Sequence, residues 1–119
     1  MNIRVAIFED NKLVREALQT ILDGTAGFCC CGAFADGNRW EADIRRSEPD
    51  IILMDIGIPG LNGIEITKKI SERYPHIKIL IQTVFNESEK IFKALCAGAF
   101  GYILKMIPLI NISKQLGCV

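Results

Sequence analysis

The chain has 119 residues, enough for about one domain, and a domain of that size hides roughly two thirds of its unfolded surface on folding. Fourteen basic residues balance fourteen acidic ones, so no global positive field draws nucleic acid or an anionic membrane. Half the residues are hydrophobic, but charges interrupt every apolar run well short of a membrane span and no signal-peptide pattern is present, which reads as a soluble, cytoplasmic protein.

The first apolar run, Ile3 to Phe8 (IRVAIF), predicts a strand that stops at the acidic pair Glu9 and Asp10. A helix follows, because Val14, Ala17, Leu18, Ile21 and Leu22 fall at i, i+3, i+4, i+7 and i+8, with Asn11 to cap its start and Gly24 its end. Phe28 to Phe34 predicts a second strand. Gly37 or Asn38 opens a weaker helix that runs through Trp40, a packing residue, and Ile44 and stops before Pro49. Ile51 to Met54 is a short apolar run ending at Asp55, which suits a strand buried on both faces. Pro59, Gly60 and Gly63 mark the loop beyond it.

Asn62 and Glu65 stand in capping-box spacing before a helix that carries Ile66, Ile70 and Tyr74 and ends before Pro75. Lys78 to Gln82 (KILIQ) predicts a fourth strand closing on Thr83. Asn86 and Glu89 repeat the capping spacing ahead of Ile91, Phe92 and Leu95, with Gly98 as the stop. Gly101 to Leu104 is a short fifth strand closing on Lys105. Pro108 to Gly117 predicts a marginal last helix, short and rich in β-branched residues. His76, the only histidine, reads as a solvent-facing loop residue. The five cysteines are Cys29, Cys30, Cys31, Cys96 and Cys118; they show no metal-ligand spacing and read as small packing residues.

Alternating strands and helices predict one α/β domain over residues 1–119, with a parallel sheet covered on both faces. In such sheets ligands bind at the carboxyl ends of the strands. Glu9, Asp10, Asp55, Thr83 and Lys105 all fall at that edge. Each has a bland explanation alone: a helix cap, a strand-end residue, a solvated charge. Their coincidence at one edge points to chemistry. Two carboxylates about 4 Å apart repel by roughly 4 kcal/mol at an effective dielectric of about 20, so three in one pocket call for a cation. Carboxylates with a backbone carbonyl and water are the usual surroundings of Mg²⁺ beside a phosphoryl group. A carboxylate there can attack phosphorus and form an aspartyl phosphate, with Lys105 neutralising charge and Thr83 donating a hydrogen bond.

With these residues in place, the sequence resembles the receiver domain of two-component response regulators from residue 3 to about residue 105. The motifs are FED at the first strand end, LMDIGIPGLNG around Asp55, QTVF around Thr83 and AGAFGYILK leading to Lys105. The resemblance implies a doubly wound, CheY-like (flavodoxin-like) five-stranded sheet of order 2-1-3-4-5. It implies Asp55 as phosphoacceptor, Asp10 as a direct Mg²⁺ ligand, Glu9 holding the metal through water and the Gly57 carbonyl as a further ligand. Thr83 and Lys105 match the pair that grips the phosphoryl group, and Tyr102 the aromatic switch residue. The segment FNESEKIFKALCAGAFGYILK is most similar to receivers joined to a LuxR-type helix-turn-helix domain. That implies a sensor histidine kinase as partner, a homodimer as a possible state, and contact with DNA only through an output domain outside these residues.

Two departures stand out. Met106 follows Lys105 where the family usually has a cis proline, and a cis non-proline bond costs about 2.5 to 4 kcal/mol, which leaves the aim of Lys105 open. The last helix is also shorter than the family norm, and it belongs to the face of fourth helix, fifth strand and fifth helix that usually carries output and dimerisation. Val84 is larger than the small residue common beside the threonine and would narrow access to an acyl phosphate. Other readings fit less well. A phosphatase of the haloacid dehalogenase type needs a second acid two residues after its nucleophile, where Gly57 stands. A flavin-binding protein of this topology wants a Ser/Thr/Gly loop where Glu9 and Asp10 stand, and an interaction module without phosphate leaves the acidic cluster, Thr83 and Lys105 unexplained.

Overall fold

Three apolar runs lie side by side in the middle of a single sheet. In the computed structural model, which describes residues 2–58, 62–83 and 88–104, the elements run β1 (Ile3–Phe8), α1 (Lys12–Asp23), β2 (Phe28–Phe34), α2 (Trp40–Ser47), β3 (Ile51–Asp55), α3 (Gly63–Arg73), β4 (Lys78–Thr83), α4 (Ser88–Cys96) and β5 (Gly101–Leu104). All neighbouring strands are parallel, in the order β2-β1-β3-β4-β5. This is the doubly wound architecture anticipated from the resemblance. The anticipated helix over residues 108–117, together with Lys105, Met106 and Cys118, lies outside the described residues, as do Pro59, Gly60, Val84 and Asn86.

Side-chain alternation divides the core in two. Ala6, Phe8, Ile52, Met54, Ile79 and Ile81 point to one face, where Ile44 of α2, Ile66 and Ile70 of α3 and Ala94 of α4 complete the larger cluster. Val5, Ile7 and Leu53 point to the other, against Leu18 and Leu22 of α1. Because β1 and β3 bury both faces, they read as continuous apolar runs instead of alternating ones. Each fully buried isoleucine contributes about 1.5 to 3 kcal/mol, so the central strands cannot shift by one residue without exchanging the two cores.

Helix starts follow local chemistry. The Asn11 side chain accepts the Val14 N–H at 3.1 Å and Gly24 closes α1. Asn62 accepts the Glu65 N–H at 2.9 Å, and the return contact runs from Asn62 Nδ2 to Glu65 Oε1 at 3.3 Å, between side chains, in place of the backbone arm of a full capping box. α2 departs from expectation: it starts at Trp40, with Arg39 as its cap, and neither Gly37 nor Asn38 opens it. The Asp36 carboxylate accepts the Asn38 N–H at 2.9 Å, an Asx turn that holds this stretch out of the helix.

Trp40 packs on the larger core as expected, and His76 is an exposed turn residue standing edge-on to Tyr74. The cysteines divide. Cys30 and Cys31 pack against opposite faces of the sheet, and burial pushes both thiols up. Cys96 is a correction, because it is exposed. α4 turns Ile91 and Ala94 inward, which leaves Cys96, Leu95 and Phe92 (67% exposed) on its outer side. Among the described residues no helix is long and apolar enough to cross a membrane.

Candidate functional site

The site begins where β1 and β3 end. Ile7 pairs with Leu53 and Phe8 with Met54, so the next step of the ladder brings Glu9 beside Asp55 on the α1 face. Asp10 follows in the turn before α1. One carboxylate oxygen from each of Glu9, Asp10 and Asp55 lies within 4.8 Å of the other two. Glu9 is fully buried, Asp55 is 7% exposed, and Asp10 faces solvent. The three acids singled out in the sequence thus converge.

Backbone and side-chain bonds hold them there. Glu9 Oε2 accepts the Asn11 N–H at 2.9 Å, and the Glu9 N–H donates to the Phe34 carbonyl at 2.9 Å. The Arg15 guanidinium, one turn into α1, donates to the carbonyls of Glu9 (2.8 Å) and Asp10 (3.3 Å). On the other strand, Asp55 Oδ1 accepts the Gly57 N–H at 3.0 Å. The Asp55 carbonyl accepts from Ile58 at 3.3 Å, and the Ile56 carbonyl accepts from Gly63 at 3.2 Å, so the first turn of α3 lies directly against the strand end. A Cβ built on Gly63 would come within 2.6 Å of the Asp55 carbonyl oxygen, which explains why no side chain stands there.

The remaining candidates are placed in part. Thr83 closes β4, in register with Leu104 and one residue past the partner of Asp55; its backbone alone is described. Lys105 falls one residue beyond β5, outside the described residues. Tyr102 pairs with Ile81 and is 48% exposed, on the outer edge of the sheet. Gly57 meets the site through its amide, which donates to Asp55.

Two contributors escaped the sequence reading. Arg15 supports the acidic loop, and its spacing of one helical turn beyond an acidic strand end was a usable signal. Gln82, the register partner of Asp55, is 1% exposed. The apolar run of Ile79, Leu80 and Ile81 ends on this amide, but only the strand register shows that it stands beside Asp55.

Chemically, the cluster is a set of hard oxygen donors with no thiolate or imidazole among its members, which suits a divalent cation of the Mg²⁺ kind over a softer metal. Three carboxylates this close also favour such an ion electrostatically.

A doubly wound sheet of this order with an acidic cluster at its carboxyl edge defines the receiver class. The chain belongs to that family: the model for the response regulator receiver domain matches residues 5–116. Among curated proteins it is similar to the "Uncharacterized transcriptional regulatory protein YxjL" of Bacillus subtilis (strain 168), 39% identical over 103 residues that cover 87% of this chain and 47% of that one. It is also similar to the "Oxygen regulatory protein NreC" of Staphylococcus haemolyticus, 36% identical over 107 residues covering 89% and 49%. The chain therefore spans about half the length of the curated relatives it matches. Among solved structures it superposes on a LuxR-family two-component response regulator from Aurantimonas sp. SI85-9A1 with a TM-score of 0.83 and 29% identity, covering 99% of this chain and 84% of that one. The response regulator domain of Thermotoga maritima CheB gives 0.81 and 26%, covering 100% and 98%.

Proposed function

We propose that residues 1–119 form the receiver unit of a DNA-binding response regulator and act as a phosphorylation-controlled switch with Asp55 as phosphoacceptor. The observation that supports this most directly is the convergence of the Glu9, Asp10 and Asp55 carboxylates at the strand ends. In this reading a carboxylate oxygen of Asp55 attacks the phosphorus of a phosphohistidine on a sensor kinase. The new P–O bond forms as the P–N bond breaks, and the electron pair returns to the imidazole nitrogen.

Glu9, Asp10, Asp55 and the carbonyl of Gly57 would hold Mg²⁺, which when bound supplies positive charge beside the transferring oxygens. The Gly57 amide holds Asp55 Oδ1 and so fixes the rotamer of the acceptor. The Asn11 N–H holds the Glu9 carboxylate, and Arg15 ties down the backbone carbonyls of Glu9 and Asp10. Thr83 and Lys105 grip the phosphoryl group, and Tyr102 reports occupancy by changing its exposure. Gly57 stands where a hydrolase of the haloacid dehalogenase type carries its second acid, two residues after the nucleophile, which supports a chemistry limited to the chain's own modification. DNA is reached through an output domain, as the names of the relatives suggest.

The test is direct. Acetyl phosphate or beryllofluoride with Mg²⁺ should modify the native protein and leave Asp55→Asn unmodified, read by intact-protein mass for the phosphodonor and by calorimetry for beryllofluoride. Equal reaction of both proteins would remove the assignment.

A further inference from the structure

Among the described residues, Gln82 is the one buried polar side chain of the central strands that the acidic cluster does not account for. Its place follows from the ladder. On β3 and β4, Leu53 and Leu80 both point into the cluster against α1, and two residues further on each strand Asp55 and Gln82 return to that same face. Asp55 and Gln82 are register partners on adjacent strands, whose spacing is about 4.8 Å. Glu9 stands on the far side of Asp55, so the row across the sheet reads Glu9, Asp55, Gln82.

Within this row the Gln82 side chain is 1% exposed, and its Nε2 finds no hydrogen-bond partner among the described residues. Its backbone carbonyl is used, accepting the Ile56 N–H at 3.4 Å. A buried amide donor without an acceptor is unfavourable, and native interiors rarely keep one without a reason. An apolar residue would suit the rest of this strand better. The feature that sets position 82 apart from Leu80 and Ile81 is its register partner, the Asp55 carboxylate.

We propose that the Gln82 amide is a donor held in reserve for the occupied site: once Asp55 carries a phosphoryl group, Nε2–H donates to the acyl phosphate. This rests on Asp55 being the phosphoacceptor. The resting form bears an unsatisfied donor and the occupied form does not, so the amide biases the two-state equilibrium toward occupancy. A neutral amide suits this place where a third buried acid would not. It supplies hydrogen without adding negative charge beside Glu9, Asp10 and Asp55.

The variant to compare is Gln82→Met, close in volume and without a donor. Two changes are expected together in the full chain. Without ligand, Gln82→Met should resist urea better than the native protein, because the unsatisfied donor is gone. With Mg²⁺ it should bind beryllofluoride about tenfold more weakly by calorimetry, because the occupied form has lost its bond. A purely structural role for Gln82 would lower stability and leave affinity unchanged, and that result overturns the proposal. A second measurement needs no variant: in the native protein, the Gln82 side-chain NH₂ signals should move on adding beryllofluoride, one proton strongly downfield. Stationary signals in a protein that binds beryllofluoride also overturn it. If the native protein binds none, the phosphoacceptor reading fails first and this inference falls with it.

Discussion

Gly63→Ala tests whether the site depends on the close approach of α3 to the end of β3. The added Cβ would lie 2.6 Å from the Asp55 carbonyl oxygen, 3.0 Å from Ile56 Cα and 3.2 Å from the Ile56 carbonyl oxygen. Ordinary contact starts at 3.4 Å, so the strand end must retreat by about 0.8 Å at the Asp55 carbonyl. All three neighbours are backbone atoms, and no rotamer change relieves them. Overpacking of this kind costs about 1 to 3 kcal/mol. Against it stands the better helix propensity of alanine, worth at most about 1 kcal/mol in a helix interior and less at the first helical position. The net expectation is a loss of about 1 to 2 kcal/mol, or a Tm lower by about 5 to 10 °C. The loss should be accompanied by weaker beryllofluoride binding, since the displaced carbonyl belongs to Asp55. Urea denaturation, with calorimetry in Mg²⁺, reads both. A Gly63→Ala protein as stable as the native one would refute the claim that the loop from Asp55 to α3 is packed to its limit.

Two further expectations come from the caps and from buried charge. Asn11→Ala removes the side-chain acceptor for Val14 N–H and should cost about 1 kcal/mol in urea denaturation. Beryllofluoride affinity should hardly change, because the bond from residue 11 to Glu9 is made by the backbone. Asp43, buried on α2, has its carboxyl pushed above the usual range, first by desolvation, against the opposing pull of Arg46. A raised carboxyl favours the folded state below the ordinary carboxyl value and loses that benefit as pH rises, so Asp43→Asn should be the more stable protein at pH 7. That advantage should shrink as the pH falls toward about 4, read from urea midpoints across the range.

Most strand limits were legible because apolar runs bounded by charge or turn residues permit few alternatives. Ile3–Phe8, Phe28–Phe34 and Gly101–Leu104 end where the sequence suggested. α1 and α3 were legible through Asn11 and Asn62, whose side chains compete for the first free N–H groups of a helix. α2 was less so, because Asp36, Gly37 and Asn38 are all turn and cap formers, and the choice among them is settled by one hydrogen bond from Asn38 to Asp36. The exposure of Cys96 and Phe92 was hidden for a different reason. The apolar residues of α4 surround too much of the helix for periodicity to say which side meets the sheet, and packing selects Ile91 and Ala94.

The site shows how the same alternation that sorts the core also sorts the chemistry. Val5 and Ile7 on β1, Leu53 on β3 and Leu80 on β4 share the face toward α1, and continuing each strand by two residues yields Glu9, Asp55 and Gln82. The acids announce themselves because a charge cannot continue an apolar strand, so Glu9 and Asp55 mark its end. Gln82 gives no such signal, since an uncharged amide can sit inside a strand or outside it. Only the register, which depends on pairing between residues 27 positions apart in the chain, turns it from a tolerated polar residue into the neighbour of Asp55. A face that is apolar up to the last turn of each strand and polar beyond it shields the ladder from water while presenting hydrogen-bonding groups at its rim. In parallel sheets that boundary falls at the carboxyl ends of adjacent strands, so a register error of one residue would scatter the acids to opposite faces as surely as it would exchange the two cores.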